Sequence, residues 1–144
     1  MPPATENTNK EIVRRFHEVV NTGDHQVISR TIREIAWSDV MLWTPLPTPE
    51  TGVAAVEQVW ANLLRVFPDV HVELEDMVAE DDKVVGRSTV TGTHRGEFMG
   101  IAATGKRVEY NEMFMFHFVN GRIAQIWGVV DIFSLLRQLG AYPH

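Results

Sequence analysis

The stretch Arg107–Asp131, RVEYNEMFMFHFVNGRIAQIWGVVD, decides the fold. Phe114, Phe116 and Phe118 recur at every second position, the period of a strand with one buried face. Asn120-Gly121 is the dipeptide best suited to a tight hairpin turn, and the β-branched and aromatic run Ile123–Val130 supplies the returning strand. Asp131 then precedes an apolar helical pattern as a plausible N-cap, with Gly140 just past its end. The stretch therefore reads as strand (Arg107–Phe118), turn, strand (Ile123–Val130) and helix.

The register of that hairpin sets which side chains share a face. A two-residue loop places Gly128 opposite Met113, whereas a three-residue loop with Gly121 left-handed in a bulge places Gly128 opposite Glu112. The second register is favoured. It gathers Tyr110, Glu112, Phe114, Phe116, Phe118, Ala124, Ile126, Gly128 and Val130 on one face, a wall of aromatic and small apolar groups around one carboxylate, as a cavity for a flat apolar ligand requires. Met113, Met115, His117, Ile123, Gln125, Trp127 and Val129 form the other face, apolar enough to meet a partner subunit.

Upstream of this hairpin the same character continues, with strands at Val70–Val78 and Val84–His94, a turn at Glu80-Asp81-Asp82 and a glycine-punctuated loop from Arg95 to Gly105. Before Val70 the pattern is helical. Ile12, Val13, Phe16, Val19 and Val20 fall at helical spacing and stop at Asn21-Thr22-Gly23, and Asp24 can cap a second short helix. Trp37–Trp43 reads as a strand ended by Pro45, Pro47 and Pro49, and Gly52–Val66 as a third helix. Residues 1–8 read as a loose tail and 9–144 as one domain. Helices followed by a meander of strands give an α+β fold, with the helices covering one face of a curved antiparallel sheet.

Composition narrows the function classes. The 144 residues are 44% hydrophobic, enough for one core, and include no cysteine, so disulfides, thiolate nucleophiles and cysteine metal sites are excluded. Thirteen basic and nineteen acidic residues give a net charge of −6 without a basic stripe, which argues against nucleic-acid binding. Neither a signal peptide nor a run of membrane-spanning length is apparent, so a soluble cytoplasmic protein is expected. His17, His25, His71 and His144 have no metal-ligand spacing, and no phosphate-binding glycine loop or nucleophile elbow is present.

The segments FPDV (Phe67–Val70), AEDDKVVGR (Ala79–Arg87), GTHRGEFMGIAATGK (Gly92–Lys106), VNGRI (Val119–Ile123) and D-x-x-x-L-L-R-Q-L-G (Asp131–Gly140) together resemble the SnoaL-like polyketide cyclases. These belong to the group with the nuclear-transport-factor-2 or ketosteroid-isomerase type of α+β cone. The resemblance covers nearly all of the chain after residue 9. It implies a deep apolar cavity between sheet and helices, a homodimer or homotetramer through the outer sheet face, and no metal or organic cofactor. It also implies intramolecular aldol ring closure of a polyketide-like substrate by one carboxylate on the last strand. At the matching position this chain has Gly128 after Trp127, and glycine cannot abstract a proton. The loop that often reads Pro-Thr-Gly in the family is Ala103-Thr104-Gly105 here.

Glu112 is the candidate for a displaced acid/base, with Gly128 opening space for substrate. Desolvation among phenylalanines raises a carboxyl pKa toward neutrality, although a glutamate near a strand end can also meet an arginine or solvent. His94 could bind a substrate carbonyl or tie its loop to the backbone, and Tyr110 could donate to a developing oxyanion or pack against Glu112. Asp131 reads as a cap rather than a catalyst. Trp43, Trp60, Phe98, Phe114, Phe116 and Ile126, with Gly128, are candidate substrate-binding walls, the tryptophans equally readable as ordinary core. Cyclisation leads the expectations. Isomerisation, dehydration, epoxide-opening ether formation and a non-catalytic binding role are the alternatives.

Overall fold

A computed structural model describes residues 3–45 and 48–141, so Pro47 and His144 lie outside the described residues. Helices α1 (Pro3–Val20) and α2 (His25–Ile35) form an antiparallel hairpin, followed by β1 (Ala36–Trp43) and α3 (Gly52–Val66). Strands β2 (His71–Glu80), β3 (Lys83–Thr93), β4 (Arg107–Val119) and β5 (Arg122–Val130) come next, and α4 (Ile132–Gln138) closes the chain. The first helix starts at Pro3, so residues 3–8, expected as a loose tail, are its opening turns. Proline at a first helical position loses no hydrogen bond, because the first N–H groups of a helix have no partner within it.

Side chains fix the helix boundaries. Asp24 caps α2 by accepting from the Gln26 and Val27 amides at 3.0 and 3.2 Å. Asp131 caps α4 through the Ser134 amide at 3.0 Å, which commits its carboxylate to the backbone. Val13, Phe16 and Val20 of α1 and Ile28, Ile32 and Ile35 of α2 are buried on the inner face of the sheet with Val84, Val90, Val108, Phe116 and Phe118.

The sheet order is β1-β5-β4-β3-β2. β2 through β5 pair antiparallel as their hairpins demand, but β1 pairs parallel with β5, so the sheet is mixed rather than antiparallel throughout. No hairpin joins β1 to β5, and the direction of that pairing is set by how the helices return the chain across the sheet. Bulges interrupt the register between Leu74 and Asp76 and between His117 and Phe118, where the strands bend. The helices lie within this curvature.

The β4–β5 register differs from both sequence readings. Asn120 and Gly121 have φ of 50° and 81°, the left-handed pair of a two-residue turn, and Val119 lies opposite Arg122. The bulge then leaves Ala124 unpaired, so that Phe116 lies opposite Ile126, Phe114 opposite Gly128 and Glu112 opposite Val130. Because the bulge shifts the pairing by one residue, the inner-face set from Tyr110 to Phe118 and from Ile126 to Val130 is the expected one. Ile123 and Ala124 are the exception: Ile123 belongs to the buried core rather than the outer face.

Candidate active site

Between α1, α3 and the inner face of β4 and β5 lies a cavity with two lobes. The outer lobe, about 260 Å³, opens past Thr44, Thr48, Pro49, Gln58 and Asn62 and is closed by Phe98, Tyr110 and Leu135. The inner lobe, about 60 Å³, is lined by Phe16, His17, Leu42, Trp60, Phe116 and Ile126. Glu112, Phe114, Val59 and Leu63 border both lobes. At the rim the Thr48 hydroxyl hydrogen-bonds Gln58, tying the β1–α3 loop to α3.

Glu112 is held there by the strand period. Tyr110, Glu112, Phe114 and Phe116 alternate along β4, and Glu112 is flanked across the ladders by Ser88 of β3 and Val130 of β5. Part of its surface opens onto the cavity, yet protein surrounds it on nearly every side. No protein group among the described residues donates a hydrogen bond to its carboxylate. Burial alone therefore pushes its pKa up to about 7, since removal from water penalises the charged form. A carboxyl poised there can both accept and return a proton near neutral pH.

Tyr110, two residues along the same face, is 5% exposed and lines the outer lobe. Burial first, and the charge of Glu112 second, raise its pKa above the ordinary phenol value, so it stays a hydrogen-bond donor. The structure thus brings Glu112 and Tyr110 together, with Phe98, Phe114, Trp60, Phe116 and Ile126 around them.

Two sequence candidates lie elsewhere. His94 is completely buried and lines neither lobe. Its Nδ1 accepts from the Thr104 amide at 3.1 Å and lies 2.9 Å from the Thr104 hydroxyl, so His94 ties the 94–105 loop together rather than facing substrate. Trp43 is carried to the outer face by its pairing with Trp127, on which it stacks at 4.8 Å, and it is 41% exposed.

Gly128 lines the inner face as expected, but it opens no space. A Cβ at this position would overlap the Phe114 ring, which lies directly over the glycine. The absence of a side chain at 128 is therefore filled by the facing phenylalanine, an arrangement in which a strand glycine is covered by an aromatic neighbour.

The sequence reading passed over His17 and Ser88. Sequence spacing excludes His17 as a metal ligand, and among the described residues no cluster of His, Asp and Glu could hold a metal ion. The signal lay in the spacing: His17 continues the Val13–Val20 stripe of α1, the face turned to the sheet. Ser88 could be found only by pairing β3 with β4.

Comparison with known proteins bears on this geometry. The family model for SnoaL-like polyketide cyclase matches residues 10–139. Aklanonic acid methyl ester cyclase AcmA of Streptomyces galilaeus is 30% identical over 131 residues, covering 89% of this chain and 88% of that protein. The crystal structure of AclR, a proposed hydroxylase from the same organism, superposes with a TM-score of 0.82 at 29% identity, covering 96% of this chain and 89% of AclR. IdmH of Streptomyces antibioticus, a proposed polyketide cyclase, superposes with a TM-score of 0.78 at 28% identity, covering 92% of this chain and 98% of that one.

Proposed function

The chain belongs to the SnoaL-like polyketide cyclase family, and from that premise we propose that it is a cofactor-free cyclase of polyketide-type, antibiotic-forming secondary metabolism in which Glu112 is the acid/base. The observation that carries this reading is a buried carboxyl in the wall of an apolar cavity, where removal from water pushes its pKa up to about 7. Aldol closure needs one group that removes a proton from a carbon next to a carbonyl and later protonates the alkoxide formed when that carbon attacks a second carbonyl. The ionised Glu112 takes the first proton, and the resulting neutral acid returns it, so the product is an isomer of the substrate. The Tyr110 hydroxyl donates to the oxygen on which the enolate charge develops, where a fixed donor in a dry site is most effective. Phe98, Phe114 and Leu63 supply the flat apolar walls.

The family position that carries the acid/base carboxylate is Gly128 here, and the proposal moves that role to Glu112 on the neighbouring strand. Gly128 and Phe114 then act as one unit, the ring shaping the cavity where the side chain is missing.

Assembly is proposed through the outer sheet face with a second copy of the chain, as a homodimer or homotetramer. Met41, Trp43, Met113 and Val129 are exposed there, and Trp43, Trp127 and Met115 form a continuous row across β1, β5 and β4. A cytoplasmic location is part of the same reading. Among the described residues no helix is long and apolar enough to cross a membrane.

The test is conversion of aklanonic acid methyl ester, the compound named for AcmA, by chelator-treated protein with nothing added. Formation of a product of unchanged mass supports the reading. A requirement for an added cofactor, or a change of mass by loss of water or gain of oxygen, contradicts it in favour of a dehydratase or hydroxylase.

A further inference from the structure

His17 is an ionisable side chain in the cavity wall besides Glu112 and Tyr110, and the aldol chemistry above does not use it. It lies on α1 and reaches the inner lobe, on the far side of Glu112 and Phe114 from the mouth. Its Nδ1 is 2.8 Å from the Val13 carbonyl oxygen, one helical turn back. A carbonyl can only accept, so Nδ1 carries the proton and Nε2 is left as a lone-pair acceptor. Burial lowers the imidazole pKa, outweighing the contrary effect of the Val13 carbonyl, and so keeps the ring in this neutral form.

With Nδ1 committed to the helix, the far edge of the ring points toward the sheet. There the Ser88 hydroxyl lies 3.5 Å from Nε2, a hydrogen bond at its outer limit and so a weak donor that a ligand hydroxyl can displace. The other walls around it, Phe16, Leu42, Trp60, Phe116 and Ile126, offer no donor except the indole N–H of Trp60. Beyond the Glu112 carboxyl at its border, the lobe presents His17 Nε2 as a fixed acceptor among apolar walls, which selects for a donor. The volume of about 60 Å³ is several times the roughly 10–15 Å³ that a single water needs, so the lobe admits a substituted ring edge but not a ring system.

We propose that the inner lobe is a recognition subsite for a hydroxyl-bearing edge of the ligand, with His17 Nε2 accepting the hydroxyl hydrogen bond. A carbonyl or ether oxygen in the same place would set lone pair against lone pair and lose its hydration without compensation. The subsite thus favours ligands that present a phenolic or enolic hydroxyl to the deep end of the cavity while the reacting carbons lie beside Glu112. This inference rests on the reading of the cavity as the ligand site, and it makes no use of turnover.

The test is a pair of nearly isosteric probes, 2-naphthol and 2-fluoronaphthalene, the second lacking a donor. Binding of the fluorinated probe at pH 8 is followed by its 19F NMR signal, and 2-naphthol binding by its displacement. The ratio of the two dissociation constants is compared across variants. In His17→Leu the preference for 2-naphthol is expected to fall roughly tenfold, the effect of one lost hydrogen bond in a buried site. His17→Gln keeps a carbonyl acceptor and is expected to retain most of the preference. A ratio unchanged in His17→Leu, or lost in Glu112→Gln instead, overturns the proposal. If neither probe binds the wild-type protein, the cavity is not the ligand site and the functional reading above fails with it; failure of turnover alone leaves the binding ratio intact.

Discussion

Phe114 lies directly across the β4–β5 ladder from Gly128, and its ring occupies the volume that a side chain at 128 would need. The glycine and the phenylalanine are therefore one structural unit. Changing either alone has a cost set by the other.

Gly128→Ala is expected to destabilise the protein by about 1–3 kcal/mol, the usual range for forcing atoms into a packed site. In a Phe114→Ala background the same substitution should cost much less. A double-mutant cycle by denaturant unfolding measures this coupling, and additive effects would show that the overlap is relieved elsewhere.

For the same reason Gly128→Asp should not place a working carboxylate in the cavity on its own, because the new side chain meets the Phe114 ring. Paired with Phe114→Ala it should fold, and thermal unfolding of the single and double variants distinguishes the two cases.

The raised pKa of Glu112 makes stability depend on pH. The folded state holds the Glu112 proton up to about pH 7, whereas an unfolded glutamate releases it near 4.5. Stability is thus fully present below pH 4.5 and falls as pH rises through 7, by about 3 kcal/mol if the whole shift is expressed. Glu112→Gln should flatten that part of the profile, as chemical denaturation at pH 5 and pH 8 would reveal.

His94 is expected to act on its loop rather than on chemistry. Thr104→Val removes the hydroxyl contact to His94 Nδ1, while the Thr104 amide contact remains. Faster hydrogen exchange over residues 94–106, with a stability loss of about 1 kcal/mol, is the predicted result.

Charge on the outer face tests assembly. Met113 and Val129 are direct cross-strand neighbours there, 49% and 73% exposed. The pair Met113→Lys and Val129→Lys should shift sedimentation to the monomer while leaving the inner cavity intact.

Much of the fold was legible because local signals carry it. The Phe114-Phe116-Phe118 alternation, the turn at Asn120-Gly121 and the two aspartate caps each act within a few residues and appear at the expected positions, although the turn has two residues rather than the favoured three. What was not legible depends on distant chain. The two-residue turn and the bulge at Ala124 each shifted the register by one residue and together moved Gly128 from opposite Glu112 to opposite Phe114, and the parallel pairing of β1 with β5 turned Trp43 outward onto Trp127. Glu112 and Tyr110 were found because strand period alone puts them on the aromatic face. His17 shares the Val13–Val20 stripe of α1, but that this stripe meets the cavity depends on the sheet, where Ser88, 71 residues away, lies 3.5 Å from it.

The role of Glu112 is tested most directly by the pH–rate profile of wild-type protein against Glu112→Gln on a substrate that cyclises. The wild type should show kcat/KM rising with an apparent pKa near 7 as the base ionises. Glu112→Gln should lose on the order of a hundredfold to ten-thousandfold in kcat, and that inflection with it. Turnover in Glu112→Gln within a few-fold of wild type, with the inflection preserved, would contradict the assignment.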